Sequence, residues 1–317
     1  MRAWGRLFRL SLAPSAAADI AAGIVIAARA WPRGLGAVAL MIASLCVYHG
    51  GMALNDWADR GSDARVRPDR PIPSGRVRAS SALTVAMLLL VAGPALAVAA
   101  DRTSALVLAV VSLAAVVYDV SARGAWSGPL LLAACRAGNL SAGMAYGASW
   151  RSAAADPLDA RERATLAALV AAYALYVLLV SRLGRLEDTE HDEPLGRAPS
   201  RYLVGAALAL LAPALVAFSR VMSGELARRE AGVACAGASF VALWGAGPLC
   251  ARALRTREWR KLDVLRAMGL ALRRLLVFTA GTAVLAGSAG WIVAAAILCG
   301  LSPLSRRPSR RIAPTDG

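Results

Sequence analysis

Between Ser80 and Ala100 the sequence contains no charged residue, and several other stretches of similar length are almost as apolar. A soluble amphipathic helix would carry polar residues at helical intervals through such a run. A helix that crosses the hydrocarbon core of a bilayer instead needs about 20 largely apolar residues. Of the 317 residues, 58% are hydrophobic, whereas soluble domains contain about 45–50%. The composition therefore excludes an ordinary soluble domain.

The sequence also lacks paired cysteines and clustered aromatic residues. Its five cysteines include no CxxC pair, so neither a zinc site nor a disulfide framework is predicted. Aromatic residues make up only 6% of the chain and do not alternate with basic residues, which argues against nucleic acid as a partner. The formal net charge of +16 is instead attributed to arginine clusters at the ends of membrane helices, where they meet anionic lipid headgroups.

The apolar runs predict an all-α integral membrane protein with about nine transmembrane helices. The N-terminal run follows Arg2, Arg6 and Arg9 and is interpreted as a retained first helix. No space remains for a separate soluble domain, so 1–317 is predicted to be a single transmembrane domain with a basic tail at about 303–317. The predicted spans are 16–30, 35–55, 80–100, 103–119, 128–148, 163–184, 201–219, 231–251 and 275–301.

Arginine-rich connections predict the orientation in the membrane. The segments 56–79, 182–200 and 252–274 are placed on the cytoplasmic side of the plasma membrane because cytoplasmic loops are enriched in Lys and Arg. Nine crossings then put the basic tail at 303–317 on the opposite side, against the same rule. The sequence alone leaves this conflict open.

Four polar residues lie at the end of the second predicted span and directly after it. If the helix continues, Asn55, Asp59 and Asp63 recur at i, i+4 spacing and form one stripe of oxygen ligands, with Asp56 at its edge. Such a stripe suits Mg²⁺, which takes a few carboxylates and completes its coordination with water and phosphate oxygens. The alternative, a charged helix end at the interface, explains the series poorly because unpaired carboxylates near hydrocarbon are costly.

A proline-rich segment comes next, RPDRPIPSGR over 67–76. Its prolines end the helix, and it contains Arg67 and Arg70, whose guanidinium groups contact phosphate oxygens bidentately. A metal-binding stripe beside a phosphate clamp predicts a diphosphate substrate.

These two segments together resemble the first aspartate-rich motif of the UbiA-type prenyltransferase superfamily, NDxxDxxxD followed by RPIPSG. The resemblance implies a helical bundle around a central cavity and transfer of a prenyl group from an isoprenyl diphosphate to a lipophilic or aromatic acceptor, with Mg²⁺ as cofactor. It assigns Asn55, Asp59 and Asp63 to a first metal site, and Asp56, Arg67 and Arg70 to the substrate.

Two further elements are similar to motifs of the same family. Tyr118-Asp119 followed by Arg123 resembles YDxxxK with Arg in place of Lys, which implies a tyrosine and a cation near the diphosphate; the alternative is an interfacial Tyr–Arg pair. Arg136 and Asn139 lie inside the fifth predicted span, where polar groups are expensive and face a polar cavity. They are predicted to contact the substrate, although a polar bridge between helices also explains them. Together with Cys135 they form a CRxxN pattern that is similar to a motif of the EboC-like members of the family.

A second acidic segment follows the sixth span and looks like DxxDxEGD. Asp188 and Asp192 match the motif and imply a second metal site, and Glu190 matches the acid between them. Arg185 stands where the first Asp is usual, and a positive charge there repels a divalent cation.

Two readings of function remain open. The first is a Mg²⁺-dependent prenyltransferase in which Asp59, Asp63, Asp188, Asp192 and Arg185 are catalytic. The second is a catalytically altered, EboC-like protein that binds or translocates a secondary-metabolite precursor, which Arg185 favours and the intact first motif opposes. A CDP-alcohol phosphatidyltransferase does not fit, because Asp63-Ala64-Arg65 has no DG ahead of it.

Overall fold

The computed structural model describes residues 2–121, 124–186, 195–223 and 228–299, and their regular secondary structure is entirely helical. The helices are α1 (Arg2–Leu7), α2 (Ala13–Ala28), α3 (Gly36–Ala58), α4 (Arg60–Val66), α5 (Ala79–Val98), α6 (Arg102–Val120), α7 (Ser127–Ala153), α8 (Ala160–Arg185), α9 (Ala198–Ala209), α10 (Ala212–Met222), α11 (Arg228–Arg255), α12 (Lys261–Val284) and α13 (Ser288–Cys299).

Seven helical segments within the described residues are long and apolar enough to cross a membrane. The long helix α7 is not among them, and α2 and α13 are apolar but short. The prediction of an all-α integral membrane protein is therefore confirmed, whereas the count of nine crossings is not.

The C-terminal third differs from the prediction in two places. The segment 252–274 was expected to be a loop, but α12 begins at Lys261 and includes its second half. The arginines of α12 lie on a helix whose opposite face is buried, so their charge did not indicate a loop. The run 275–301 is not one helix either: α12 ends at Val284, and Gly287 adopts a φ of +75° before α13 begins.

Helix α13 folds back along α12. Leu276 and Ile297 line the same apolar groove, although they lie on opposite sides of the turn at Gly287. With 12 residues, α13 is about 18 Å long, shorter than the hydrocarbon core of about 30 Å. Its return direction removes the reason for placing the 303–317 tail across the membrane, although that tail lies outside the described residues.

The predicted span 201–219 is also divided in two. Helix α9 ends at Ala209 and α10 begins at Ala212, with Pro213 in the first turn of α10. Proline suits that position because it has no N–H to satisfy there.

Backbone contact between α2 and α7 sets the centre of the bundle. A side chain at Gly23 would meet the Leu140 carbonyl oxygen at 2.3 Å, and one at Gly143 would meet the Ile20 carbonyl oxygen at 2.3 Å. Small residues of this kind allow membrane helices to approach closely. Helix α2 also contacts α3, α12 and α13, and α7 contacts α6 and α8, so this pair joins the first half of the bundle to the second.

Ion pairs join α2, α7 and α8 at the end of the bundle where α7 finishes. The buried Arg151 contacts Asp156 and Glu162, each at 2.8 Å, and Arg29 contacts Glu162 at 2.6 Å. The hydrogen bond from Arg151 lowers the pKa of the exposed Asp156 carboxyl. This network fixes the end of the bundle opposite the candidate site.

Candidate active site

A cleft of about 590 Å³ opens at the end of the bundle where α3 and α8 finish, and α12 forms part of its wall. Most of the residues predicted for the site line this cleft: Asn55, Asp59, Asp63, Arg67, Arg70, Tyr118 and Arg185. The structure thus brings the first acidic motif, the proline-rich segment and the end of α8 to one place.

The acidic stripe keeps its helical register where α3 passes into α4. The backbone N–H of Asp59 donates to the Asn55 carbonyl at 2.9 Å, that of Asp63 to Asp59 at 2.9 Å, and that of Arg67 to Asp63 at 2.7 Å. Each of these is an i, i+4 hydrogen bond, so the side chains follow one another along one face. This is the spacing that the sequence predicts.

Two arginines neutralise the stripe from the side. Arg70 Nη1 lies 2.5 Å from Asp63 Oδ2 and 3.6 Å from Asp56 Oδ1, and Arg9 Nη2 lies 3.3 Å from Asp56 Oδ1. Asp56 and Asp63 are both buried. The chain bends back toward the stripe directly after α4, where Arg70 N–H donates to the Arg67 carbonyl at 3.0 Å. In the turn that follows, Val77 N–H donates to the Pro71 carbonyl and Gly75 has a φ of +72°.

Asn55 links the cleft to the end of α6. Its amide nitrogen donates to Asp119 Oδ1 at 2.9 Å, and its oxygen accepts from Arg9 Nη2 at 3.3 Å. Asp119 is buried, and Tyr118 next to it lines the cleft. Arg123, predicted to stand near the diphosphate, lies outside the described residues.

Arg185, the last residue of α8, lines the cleft together with Asp59 and Asp63. The structure therefore brings Arg185 to the same cleft as the acidic stripe. Asp188, Glu190 and Asp192 lie outside the described residues, so the second metal site stays a prediction.

Arg136 and Asn139 lie deeper, around a buried carboxylate on α2. Arg136 Nη1 donates to Asp19 Oδ2 at 2.8 Å, Asn139 Nδ2 donates to the same oxygen at 3.2 Å, and Tyr173 Oη donates to Asp19 Oδ1 at 2.6 Å. Asn139 Oδ1 also accepts from Ser44 Oγ at 2.7 Å. This arrangement is the polar bridge between helices. The two residues are nevertheless accessible from a second pocket, which adjoins the cleft.

Sequence reasoning missed Arg9 and gave Asp19 no role. Arg9 lines both the cleft and the deeper pocket and adopts a left-handed φ of +46°, an uncommon conformation for a residue other than glycine. In the sequence Arg9 is one of three N-terminal arginines, and each of the three is explained equally well as a marker of the cytoplasmic end of the first helix. No local pattern in the sequence pairs Asp19 with Arg136, because the two residues are 117 positions apart in the chain.

The oxygen atoms of the acidic stripe are of the kind that binds Mg²⁺. Asn55, Asp59 and Asp63 supply amide and carboxylate oxygens along one side of the cleft, and hard cations prefer such ligands. Among the residues that the structure describes, no three His, Cys, Asp or Glu side chains converge on one point. A small number of carboxylates is what Mg²⁺ sites use when substrate phosphates complete the coordination.

The fold and the cleft together describe a multi-span helical membrane protein whose cleft carries carboxylates and flanking arginines. Residues 16–222 match the UbiA prenyltransferase family. The chain belongs to this family.

Curated relatives match part of the chain. The digeranylgeranylglyceryl phosphate synthase of Methanopyrus kandleri is 35% identical over 124 residues, which are 39% of this chain and 45% of that protein. The bacteriochlorophyll synthase 33 kDa chain of Cereibacter sphaeroides is 37% identical over 114 residues, 34% of this chain and 36% of that protein. The alignments with these relatives thus cover less than half of their length.

The fold is similar to that of solved UbiA homologues along nearly their whole length. The structure of a UbiA homologue from Archaeoglobus fulgidus bound to DMAPP and Mg²⁺ superposes with a TM-score of 0.58 at 15% identity, covering 89% of this chain and 99% of that one. The apo structure of a homologue from Aeropyrum pernix K1 gives a TM-score of 0.59 at 19% identity, covering 86% and 97%. At identities of 15% and 19%, this similarity establishes the fold alone.

Proposed function

We propose that the chain is a Mg²⁺-dependent prenyltransferase that moves a prenyl group from an isoprenyl diphosphate to a lipophilic or aromatic acceptor. One observation carries this proposal: the oxygen stripe and the arginines Arg67, Arg70 and Arg185 line one cleft. Family membership and the DMAPP and Mg²⁺ bound to a structural relative support it. The whole chain is proposed to act as one transmembrane domain in the plasma membrane, with the cleft on the cytoplasmic side.

Asn55, Asp59 and Asp63 are proposed to hold the first Mg²⁺, and Asp188 and Asp192 a second. When bound, the metal would neutralise charge on the diphosphate and make it a better leaving group. The guanidinium of Arg70 already contacts Asp63, so it is placed to pass from that carboxylate to a phosphate oxygen.

The chain's own residues supply orientation and electrostatic stabilisation. Arg67, Arg70 and Arg185 are proposed to bind the diphosphate oxygens, with Arg123 and Tyr118 beside them, because preorganised cations stabilise charge that develops on a leaving group. The apolar walls of the adjoining pocket exclude water from the reacting carbon. In this arrangement Asp56 orients Arg9 and Arg70.

A direct assay tests the proposal. Purified protein in lipid nanodiscs is incubated with Mg²⁺, labelled isoprenyl diphosphates and a panel of acceptors, and products are separated by chromatography. The expected result is a prenylated acceptor with wild type and none with Asp63→Asn. Tight diphosphate binding without any product would instead favour the carrier reading.

A further inference from the structure

Arg182 lies in the last turn of α8 beside the cleft but is directed away from it. Ser181 and Arg185 line the cleft, whereas the side chain of Arg182 contacts neighbouring segments. Its Nη1 donates to the Ala125 carbonyl, and its Nη2 donates to Tyr202 Oη at 3.3 Å. Arg182 therefore joins α8 to α9 and to the connection between α6 and α7.

Two aromatic rings lie close to the Arg182 guanidinium. Its Cζ is 4.1 Å from the centre of the Trp126 ring and 5.8 Å from the centre of the Tyr202 ring. A planar guanidinium can stack on an aromatic face while its edge donates hydrogen bonds, and an ammonium group cannot replace it in such a site. Contacts of this kind are strongest where water is excluded, and Arg182 Nε is buried.

The connection between α6 and α7 buries little surface of its own. Its described residues, 121 and 124–126, are all exposed, and Trp126 remains 57% exposed despite its contact with Arg182. Gly124 and Ala125 have too little side chain for apolar burial to hold the segment in place. The hydrogen bond and the ring contact from Arg182 therefore attach this segment to α8.

The connection begins directly after one wall of the cleft. Helix α6 ends at Val120, and Tyr118 in its last turn lines the cleft. Helix α8, which carries Arg182, brings Arg185 to the same cleft. A displacement of the connection would therefore shift Tyr118 relative to Arg185.

We propose that Arg182 is a positioning residue: by holding the α6–α7 connection on α8, it sets the position of Tyr118 relative to Arg185 in the cleft. This role rests on the proposed function, in which Arg185 binds the diphosphate and Tyr118 lies beside it. Arg182 does not itself line the cleft, so it acts through these two residues and not on the substrate.

A distance measurement tests the attachment without an assay of activity. Spin labels at Ser121→Cys and Arg197→Cys, in a cysteine-free full chain in nanodiscs, report the separation between the connection and the start of α9. Arg182→Gln is expected to broaden the distribution of distances, because the connection and α9 meet at this guanidinium. An unchanged distribution would overturn the proposed role.

Binding and turnover test the consequence for the cleft. With Mg²⁺ and labelled DMAPP, Arg182→Gln is expected to bind about fivefold more weakly and to have a kcat about tenfold lower, since small displacements of positioned groups reduce rates strongly. Arg182→Lys keeps the charge but not the planar group and should resemble Arg182→Gln. A lysine variant equal to wild type would mean that charge alone matters, against the proposed role.

Arg274→Gln is the matched control. The Arg274 guanidinium lies 5.2 Å from the centre of the Trp244 ring, and its Nε, like that of Arg182, is buried without a partner among the described residues. Arg274 does not line the cleft, so the unfolding midpoint should fall in both variants but DMAPP affinity only in Arg182→Gln. Equal losses of DMAPP affinity would reduce the effect to destabilisation and refute positioning.

The two possible failures give different results. DMAPP binding by wild type with the same affinity in Arg182→Gln would overturn the positioning role alone. No DMAPP binding by wild type would overturn the proposed function and the positioning role together, whatever the distance measurement shows.

Discussion

The Nη1 atom of Arg70 lies 2.5 Å from Oδ2 of Asp63, and the two residues stand on opposite sides of the turn that ends α4. The same guanidinium reaches Asp56 at 3.6 Å. One arginine thus joins the acidic stripe to the proline-rich segment and pairs with two buried carboxylates, Asp56 and Asp63.

Diphosphate binding is expected to depend on the stripe. Asp59→Ala and Asp63→Ala should each abolish Mg²⁺-dependent binding of an isoprenyl diphosphate, because each removes both a ligand and a charge from a small cluster. Equilibrium dialysis with labelled DMAPP, with and without EDTA, measures this. Asp69→Ala changes the charge of the same segment at an exposed position and should retain binding. Unchanged binding in the Asp59 and Asp63 variants would refute the site.

Arg185 is expected to replace a second metal. At a few ångströms its charge interacts with a neighbouring unit charge by about 4 kcal/mol at an effective dielectric of about 20, enough to weaken a divalent site greatly. Turnover across a Mg²⁺ titration should show an active wild type, a crippled Arg185→Ala, and an Arg185→Asp that recovers only at higher Mg²⁺. An inactive wild type with activity gained in Arg185→Asp would identify the natural protein as a binder or carrier.

The buried pair of Asp19 and Arg136 is expected to stabilise the bundle only as a pair. Removing one partner leaves an uncompensated charge, at a cost of about 3–5 kcal/mol, so Asp19→Leu and Arg136→Leu should each lower the unfolding midpoint strongly. The double variant should recover much of the loss. Thermal unfolding in detergent measures the cycle, and additive losses in the double variant would contradict it.

Close contact between α2 and α7 makes Gly23 and Gly143 sensitive to size. Alanine at either position brings a methyl group against backbone atoms of the other helix and should lower the unfolding midpoint. Gly269→Ala on α12 is the control: nothing lies within 4 Å of its added carbon, and alanine favours a helix over glycine by up to about 1 kcal/mol. Equal midpoints for all three variants would exclude the packing argument.

Accessibility should show that the loops of the site share one side of the membrane. In a cysteine-free background, Ser74→Cys and Arg197→Cys should react with an impermeant maleimide from the cytoplasmic side, and Asp156→Cys from the other. Labelling of Ser74→Cys and Arg197→Cys from opposite sides would exclude a shared site.

The sequence alone was sufficient to predict which residues share a helix face, because residue spacing determines that geometry. Asn55, Asp59 and Asp63 fall on one face because helical periodicity places them there, and the hydrogen bonds at 2.7–2.9 Å along 55–67 follow that pattern. It was not sufficient for contacts between distant segments. Whether Arg136 meets a substrate or Asp19 depends on the packing of α2 on α7, which no local pattern records.

The distribution of charge also led to a wrong prediction of a loop where the structure has an amphipathic helix. The arginines of 252–274 predicted a loop by composition, but Arg252 and Arg255 lie in the last turn of α11, and Arg266, Arg273 and Arg274 lie on α12. Conversely, Arg9 could not be distinguished from Arg6, because only the turn after α1 directs it toward Asp56.

The position of Asp19 has a consequence for biogenesis. Helix α2 has only 16 residues, and an aspartate at the centre of a helix opposes insertion by the translocon by about 2.5–3.5 kcal/mol. Its partner Arg136 is synthesised 117 residues later and Tyr173 later still. We therefore expect α2 to leave the insertion machinery as a weakly committed segment that settles in the lipid only after α7 and α8 emerge beside it.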